Sequence, residues 1–172
     1  MAAMRAVALA GSLAGALAVA SGARAQQAAS PFGGFQHDAS QPIEITADVL
    51  EVRQAESVAI FTGGVVAGQG TLRLTAERLS AWYDAGAEGG GDIDRLRAEG
   101  GVFLSSGGET ARGEWAEYDV VNGRVTMGGG VVLTQGENAI RGERLSIDLV
   151  SGQGRIEGGR VQSVFNPAAR RP

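Results

Sequence analysis

Two short landmarks recur along this chain with one period, and that period leaves few folds open. Asp48, Glu77, Glu114 and Glu143 each follow a small residue (Ala47, Ala76, Gly113, Gly142) and stand three positions after an apolar or small one (Ile45, Leu74, Ala111, Ile140). Their spacings are 29, 37 and 29 residues. A double glycine recurs beside them, at Gly63-Gly64, Gly100-Gly101, Gly129-Gly130 and Gly158-Gly159, with spacings of 37, 29 and 29. Both landmarks lengthen once by the same 8 residues, so the pattern predicts four repeats with an insertion in the second. The run Ala85-Gly86-Ala87-Glu88-Gly89-Gly90-Gly91-Asp92 has the composition of that insertion.

Inside each repeat the apolar residues alternate. Ala59, Phe61, Val65 and Ala67 share one face, as do Leu96, Val102 and Leu104, and Val125, Met127, Val131 and Leu133; Arg97, Glu99, Ser105, Thr126 and Thr134 take the other. A period of two with one apolar face is a half-buried strand. Glycine pairs in mid-strand mark a bulge or sharp bend. Around each acidic landmark the apolar phase slips by one residue (Leu74 and Ala76, then Leu79 and Ala81), which also predicts a β-bulge. Tight turns are expected at Val121-Asn122-Gly123 and Val150-Ser151-Gly152. The fold class is therefore all-β: an elongated β-jelly roll or half-pipe of stacked, bent antiparallel strands built from four repeats, spanning residues 42–166.

Met1 to Ala25 is laid out as a secretory signal peptide, with Arg5, an apolar run from Ala6 to Ala20 and the small-x-small site Ala23-Arg24-Ala25. The run is shorter than the ~20 residues a spanning helix needs. Residues 26–41, holding the single histidine His37, read as a flexible lead-in, and residues 167–172 as a disordered tail. The 172-residue chain has no cysteine, so an exported domain must be held by core and backbone ladders alone. Its net charge of −4 carries no basic run, which speaks against a nucleic-acid groove.

A stacked sheet of this kind ends in two unpaired edges, which are prone to pair with other chains. The edge residues are Ile43, Ile45 and Val49 at the start and Ile156, Val161 and Val164 at the finish. If opposite edges of two molecules pair, the contact is heterologous and builds a head-to-tail chain. The four acids are expected on the solvent side of the bulges, accepting backbone hydrogen bonds, with Arg112 and Arg141 as counter-charges, rather than as a metal ladder. No metal site and no cofactor is predicted.

The ordered segments Gln41-Pro42-Ile43-Glu44-Ile45-Thr46-Ala47-Asp48, Phe61-Thr62-Gly63-Gly64-Val65-Val66 and Gln69-Gly70-Thr71-Leu72-Arg73-Leu74-Thr75-Ala76-Glu77-Arg78-Leu79 resemble the OstA-like (LptA) family of lipopolysaccharide transport proteins. The resemblance runs from Gln41 to Val164, and the insertion, the lack of lysine and the basic tail depart from it. It implies a periplasmic, non-enzymatic bridge carrying lipopolysaccharide from the inner-membrane export complex to the outer-membrane translocon of a Gram-negative cell. Its partners would be lipopolysaccharide through lipid A, the inner- and outer-membrane components of the bridge, and further copies of itself.

An acyl chain of ~12 carbons left in water costs on the order of 9 kcal/mol, at ~0.8 kcal/mol per methylene, so a carrier needs a continuous apolar trough. The inward residues Phe61, Val65, Leu74, Leu79, Leu104, Met127, Val131, Leu133, Ile140, Leu145 and Ile147 can supply one. Read without the resemblance, the same residues fill an ordinary sandwich core. Three other functions compete. A polysaccharide-active β-solenoid enzyme needs a carboxylate that breaks the repeat, and none stands out. A structural or adhesive repeat protein would lack a lipid groove. An inner-membrane partner of the same pathway would keep its N-terminal helix. Nothing in the chain binds nucleotide phosphates, so directional transfer needs a separate pump.

Overall fold

The computed structural model describes residues 32–36, 38, 40–84 and 91–166. The expected signal peptide, His37, residues 85–90 of the insertion and the tail lie outside the described residues. Ten strands form one open antiparallel sheet: β1 (Ile43–Thr46), β2 (Val49–Arg53), β3 (Val58–Gln69), β4 (Leu72–Tyr83), β5 (Ile93–Ser106), β6 (Glu109–Asp119), β7 (Arg124–Gln135), β8 (Asn138–Asp148), β9 (Gln153–Glu157) and β10 (Gln162–Val164). From β3 to β8 each strand pairs with its sequence neighbours. β1 and β2 lie end to end along β3, and β9 and β10 do the same along β8.

The insertion falls in the β4–β5 hairpin, and the ladder beside it shifts register between Trp82↔Arg95 and Tyr83↔Ile93. The expected turns are present. At one of them, Asp119 accepts the Asn122 backbone N–H at 3.0 Å and its side-chain amide at 2.7 Å.

Three of the four glycine pairs are the bulges, and the fourth, Gly158-Gly159, lies between β9 and β10. Between the pairs Thr62↔Arg78 and Val65↔Ala76, the two residues Gly63 and Gly64 face Glu77 alone; the same two-against-one count sets Gly100-Gly101 against Glu114 and Gly129-Gly130 against Glu143. Gly100 and Gly101 have φ of 86° and 71°, a region open to glycine and strained for other residues. The phase slip expected at the acids is real, but the extra residue sits in the glycine strand, and the acid is the single residue facing it.

Each acid also packs against the glycine pair on its other side. A Cβ added to Gly63 would meet the Asp48 side chain, and one added to Gly100, Gly129 or Gly158 would lie 2.5–2.7 Å from the Cβ of Glu77, Glu114 or Glu143. The acids are therefore packing elements of the bend. Arg112 is not their counter-charge: it stacks on Phe103, 5.1 Å from the ring centroid. Among the described residues, no group of three or more potential metal ligands is present.

Bending at the glycines folds each long strand in two, and the apolar faces of the halves meet. One contiguous core results, running from Val65 and Leu79 through Leu104 and Val125 to Leu145 and Ile147. Burial of its aliphatic side chains, each worth roughly 1.5–3 kcal/mol, supplies the stability that disulfides do not.

Candidate functional site

The register arranges the interior as rows crossing the whole sheet. On one half, Phe61, Leu79, Ala98, Ala116, Met127, Leu145 and Ile156 lie side by side. On the other half, Ile45, Ala67, Leu74, Leu104, Ala111, Leu133 and Ile140 do the same. All the expected trough residues fall on this inner surface: Val65, Leu79, Leu104, Met127, Val131, Leu133, Leu145 and Ile147 are buried, while Phe61, Leu74 and Ile140 are partly buried against them.

The seam is continuous and, at its middle, nearly filled. Leu79, Ala98, Leu104, Ala116 and Val125 border a cavity of about 30 Å³, room for roughly one water. The small side chains Ala98 and Ala116 leave that gap opposite Leu104. Near β1 the row Val52, Ala59, Ala81, Leu96 carries two alanines, and an apolar opening of about 260 Å³ lies there, lined by Ile45, Ala59, Phe61, Ala81, Tyr83 and Ile93. The two halves are tied across the seam by a buried hydrogen bond of 2.9 Å from the Tyr118 hydroxyl to Gln69 Oε1. Burial and the nearby Asp119 charge push the Tyr118 phenol up from its ordinary pKa.

Three features were missed from the sequence. First, part of the lead-in expected to be flexible is docked. Phe35, in a one-turn 3-10 helix (Gly33–Phe35), is fully buried in the core, and Gln36 Nε2 donates to the Val150 carbonyl at 2.7 Å. Two phenylalanines three residues apart, outside the periodic region, give no alternation to reveal it. Second, Val58 and Ile60, on the opposite face of β3 from Ala59 and Phe61, are buried beside Trp82 and Ser80. Third, the outer face carries stacked cations: Arg95 lies 4.1 Å from the Trp82 centroid and Arg97 4.3 Å from that of Trp115.

Glu109 is a buried acid beside the docked segment. Its Oε1 accepts the Gln135 amide at 2.7 Å, and its carboxylate lies against Gly34. Desolvation raises its pKa, partly offset by the Gly34 and Phe35 backbone N–H groups and by Gln135. A raised folded-state value favours the protonated acid. Stability from this group is therefore fullest below the ordinary glutamate pKa and falls as pH rises through the raised one. Glu109→Gln is expected to flatten that fall, as read by urea midpoints from pH 4 to pH 8; an unchanged slope would assign the pH dependence elsewhere.

The edges differ from the interior. β2 exposes Val49 at 58%, Leu50 at 56% and Val52 at 53% of their surface, and at the far end Val161 and Val164 are exposed. Ile43, Ile45 and Ile156 are instead partly buried against the core. The first edge is split into β1 and β2 at Asp48, whose N–H donates to Gly63 O at 3.1 Å. The last strand is anchored by Asn166, whose N–H donates to Asn138 Oδ1 at 2.9 Å and whose side-chain amide donates to the Glu137 carbonyl.

Residues 44–153 match the family model described as LptA/(LptD N-terminal domain) LPS transport protein. The chain is 41% identical over 117 residues to an uncharacterized protein of Rhizobium meliloti (strain 1021), a match covering 66% of this chain and 63% of that relative. In fold it is similar to the crystal structure of LptH, the LptA-homologous periplasmic component of the lipopolysaccharide transport device of Pseudomonas aeruginosa. The TM-score is 0.67 at 22% identity, over 76% of this chain and 99% of that one.

Proposed function

The chain belongs to the LptA/(LptD N-terminal domain) family of LPS transport proteins, and from that premise we propose that it is a non-enzymatic periplasmic carrier shielding the acyl chains of lipopolysaccharide. The observation that carries this reading is the pair of apolar rows running unbroken across the sheet, one from Phe61 on β3 to Ile156 on β9 and the other from Ile45 on β1 to Ile140 on β8, with an opening at the β1 end. Cargo enters beside Phe61 and Ile93 and is held by contacts without direction, so that it can slide. Met127 adds a side chain that reshapes at low cost. The exposed β2 edge and the Val161–Val164 edge pair with opposite edges in the inner- and outer-membrane components of the bridge, or in another copy.

Photo-crosslinking from probes at Phe61, Leu104, Leu133 and Ile147, with outward Thr126 and Glu99 as controls, tests the cargo. Label confined to the inward set, strongest at Phe61, supports the carrier. Equal label on both faces sinks it in favour of a structural or adhesive sheet. For the edges, Leu50→Asp is expected to lower self-association by about tenfold or more with little change in melting temperature, because Leu50 is exposed. Light scattering across a concentration series checks this, and an unchanged mass distribution removes β2 from the interface.

A further inference from the structure

The two ends of the interior are unlike, and the difference lies in one row: Val52, Ala59, Ala81, Leu96, Tyr118, Val125, Ile147 and Gly154. At its first end, alanines leave an open apolar pocket of about 260 Å³. At its last end stands a glycine, and the place of its missing side chain is taken. A Cβ on Gly154 would lie 2.2 Å from the Phe32 ring, so that ring occupies the place of the missing side chain. Phe35 follows it into the core and is fully buried.

The same short segment spans the two lips of the folded sheet. Gly34 lies against Glu109, at the β5–β6 hairpin; Gln36 reaches Val150, at the β8–β9 hairpin. Further on, Gln69 Nε2 donates to the Gln41 carbonyl at 2.9 Å, so the chain returns along the mouth towards β1. Docking is not free of cost: it confines the Glu109 carboxylate, and a buried acid is stabilised poorly by neutral partners. The cavity of about 30 Å³ at mid-seam is too small for an acyl chain, so cargo needs side chains to move elsewhere along the groove.

We propose that Phe32–Gln36 is a displaceable plug, whose two phenyl rings fill the β8–β9 end of the groove in the empty protein and leave when an acyl chain arrives. The proposal rests on the carrier reading and adds to it a gate: loading begins at the open β1 end and is completed only when the plug lifts. The apparent affinity for lipid then falls by the fraction of molecules whose plug is raised.

A reversible lock tests this. The Gln36 Cβ lies 3.4 Å from the Cβ position of Gly152, near the separation a disulfide requires, and the chain has no cysteine to interfere. In the purified Gln36→Cys/Gly152→Cys protein, oxidation is expected to slow uptake of fluorophore-labelled lipid A by about tenfold, and reduction to restore it. The single Gly152→Cys variant controls for strain at a residue with φ of 67°. Gly154→Ala does the opposite: its methyl evicts Phe32, and loading should be faster than wild type. Equal loading by the oxidised and reduced forms, or no gain from Gly154→Ala, overturns the plug while leaving the carrier standing. No loading by any form, wild type included, overturns the carrier reading and the plug with it.

Discussion

Leu133→Asp and Ile147→Asp are expected to abolish folding rather than merely weaken lipid uptake. Leu133 is 1% exposed and Ile147 0%, and their cross-strand neighbours are Ala111 and Ile140 for the first, Val125 and Gly154 for the second. Nothing there can pair a carboxylate. An uncompensated buried charge costs about 3–5 kcal/mol, a large part of the ~5–15 kcal/mol that holds an ordinary domain. Loss of the cooperative thermal transition, or insoluble expression, is the result to look for. A folded Leu133→Asp protein with a near wild-type melting temperature would mean that the seam is wet. The informative position for a charge is therefore Phe61, at the open end, where an Asp can reach water and uptake can fall while the fold survives.

The second large effect is a contrast between adjacent glycines. Gly100→Ala places a methyl 2.7 Å from the Glu77 Cβ, at a φ of 86°. Gly101→Ala adds one at a φ of 71° with nothing within 4 Å. Backbone strain alone costs roughly 1–2 kcal/mol, so Gly101→Ala should lose about that. Gly100→Ala adds a steric overlap typical of overpacking, a further ~1–3 kcal/mol. Removing the Glu77 side chain with Glu77→Gly should recover part of the loss at Gly100 and none at Gly101. Denaturant midpoints of the singles and doubles decide it. Equal losses at the two glycines would dissociate the acid from the bend.

That pairing shows where reading the chain stops. The acids and the glycine pairs are both visible as landmarks, with their common spacing, and so are strand bending and the β4–β5 insertion. Their contact is not visible, because Glu77 and Gly100 meet only after two strands have paired in one register. Arg112 misled for a related reason: it stands two residues from Glu114, but its cross-strand partner is Phe103, and pairing across the ladder outranks proximity in sequence. Alternation identified the inner residues of the groove, since period two fixes which face a side chain takes. It could not reveal that opposite faces close on each other at mid-seam, nor that Phe35 completes the core from outside the periodic region.

The meander also sets an order of assembly. From β3 to β8 every ladder joins neighbours in the chain, so each loop to be closed is short, and the sheet can grow hairpin by hairpin from any starting pair. The docked N-terminal segment breaks that rule: Gln36 meets Val150 across 114 residues and Phe32 packs at Gly154, contacts that cannot exist until β8 is in place and β9 begins. The N-terminal segment comes first in the chain and finds its seat last. During that interval the nascent sheet exposes an unfilled apolar end. An apolar group from elsewhere that arrives then meets the inner face before the chain's own phenylalanines do.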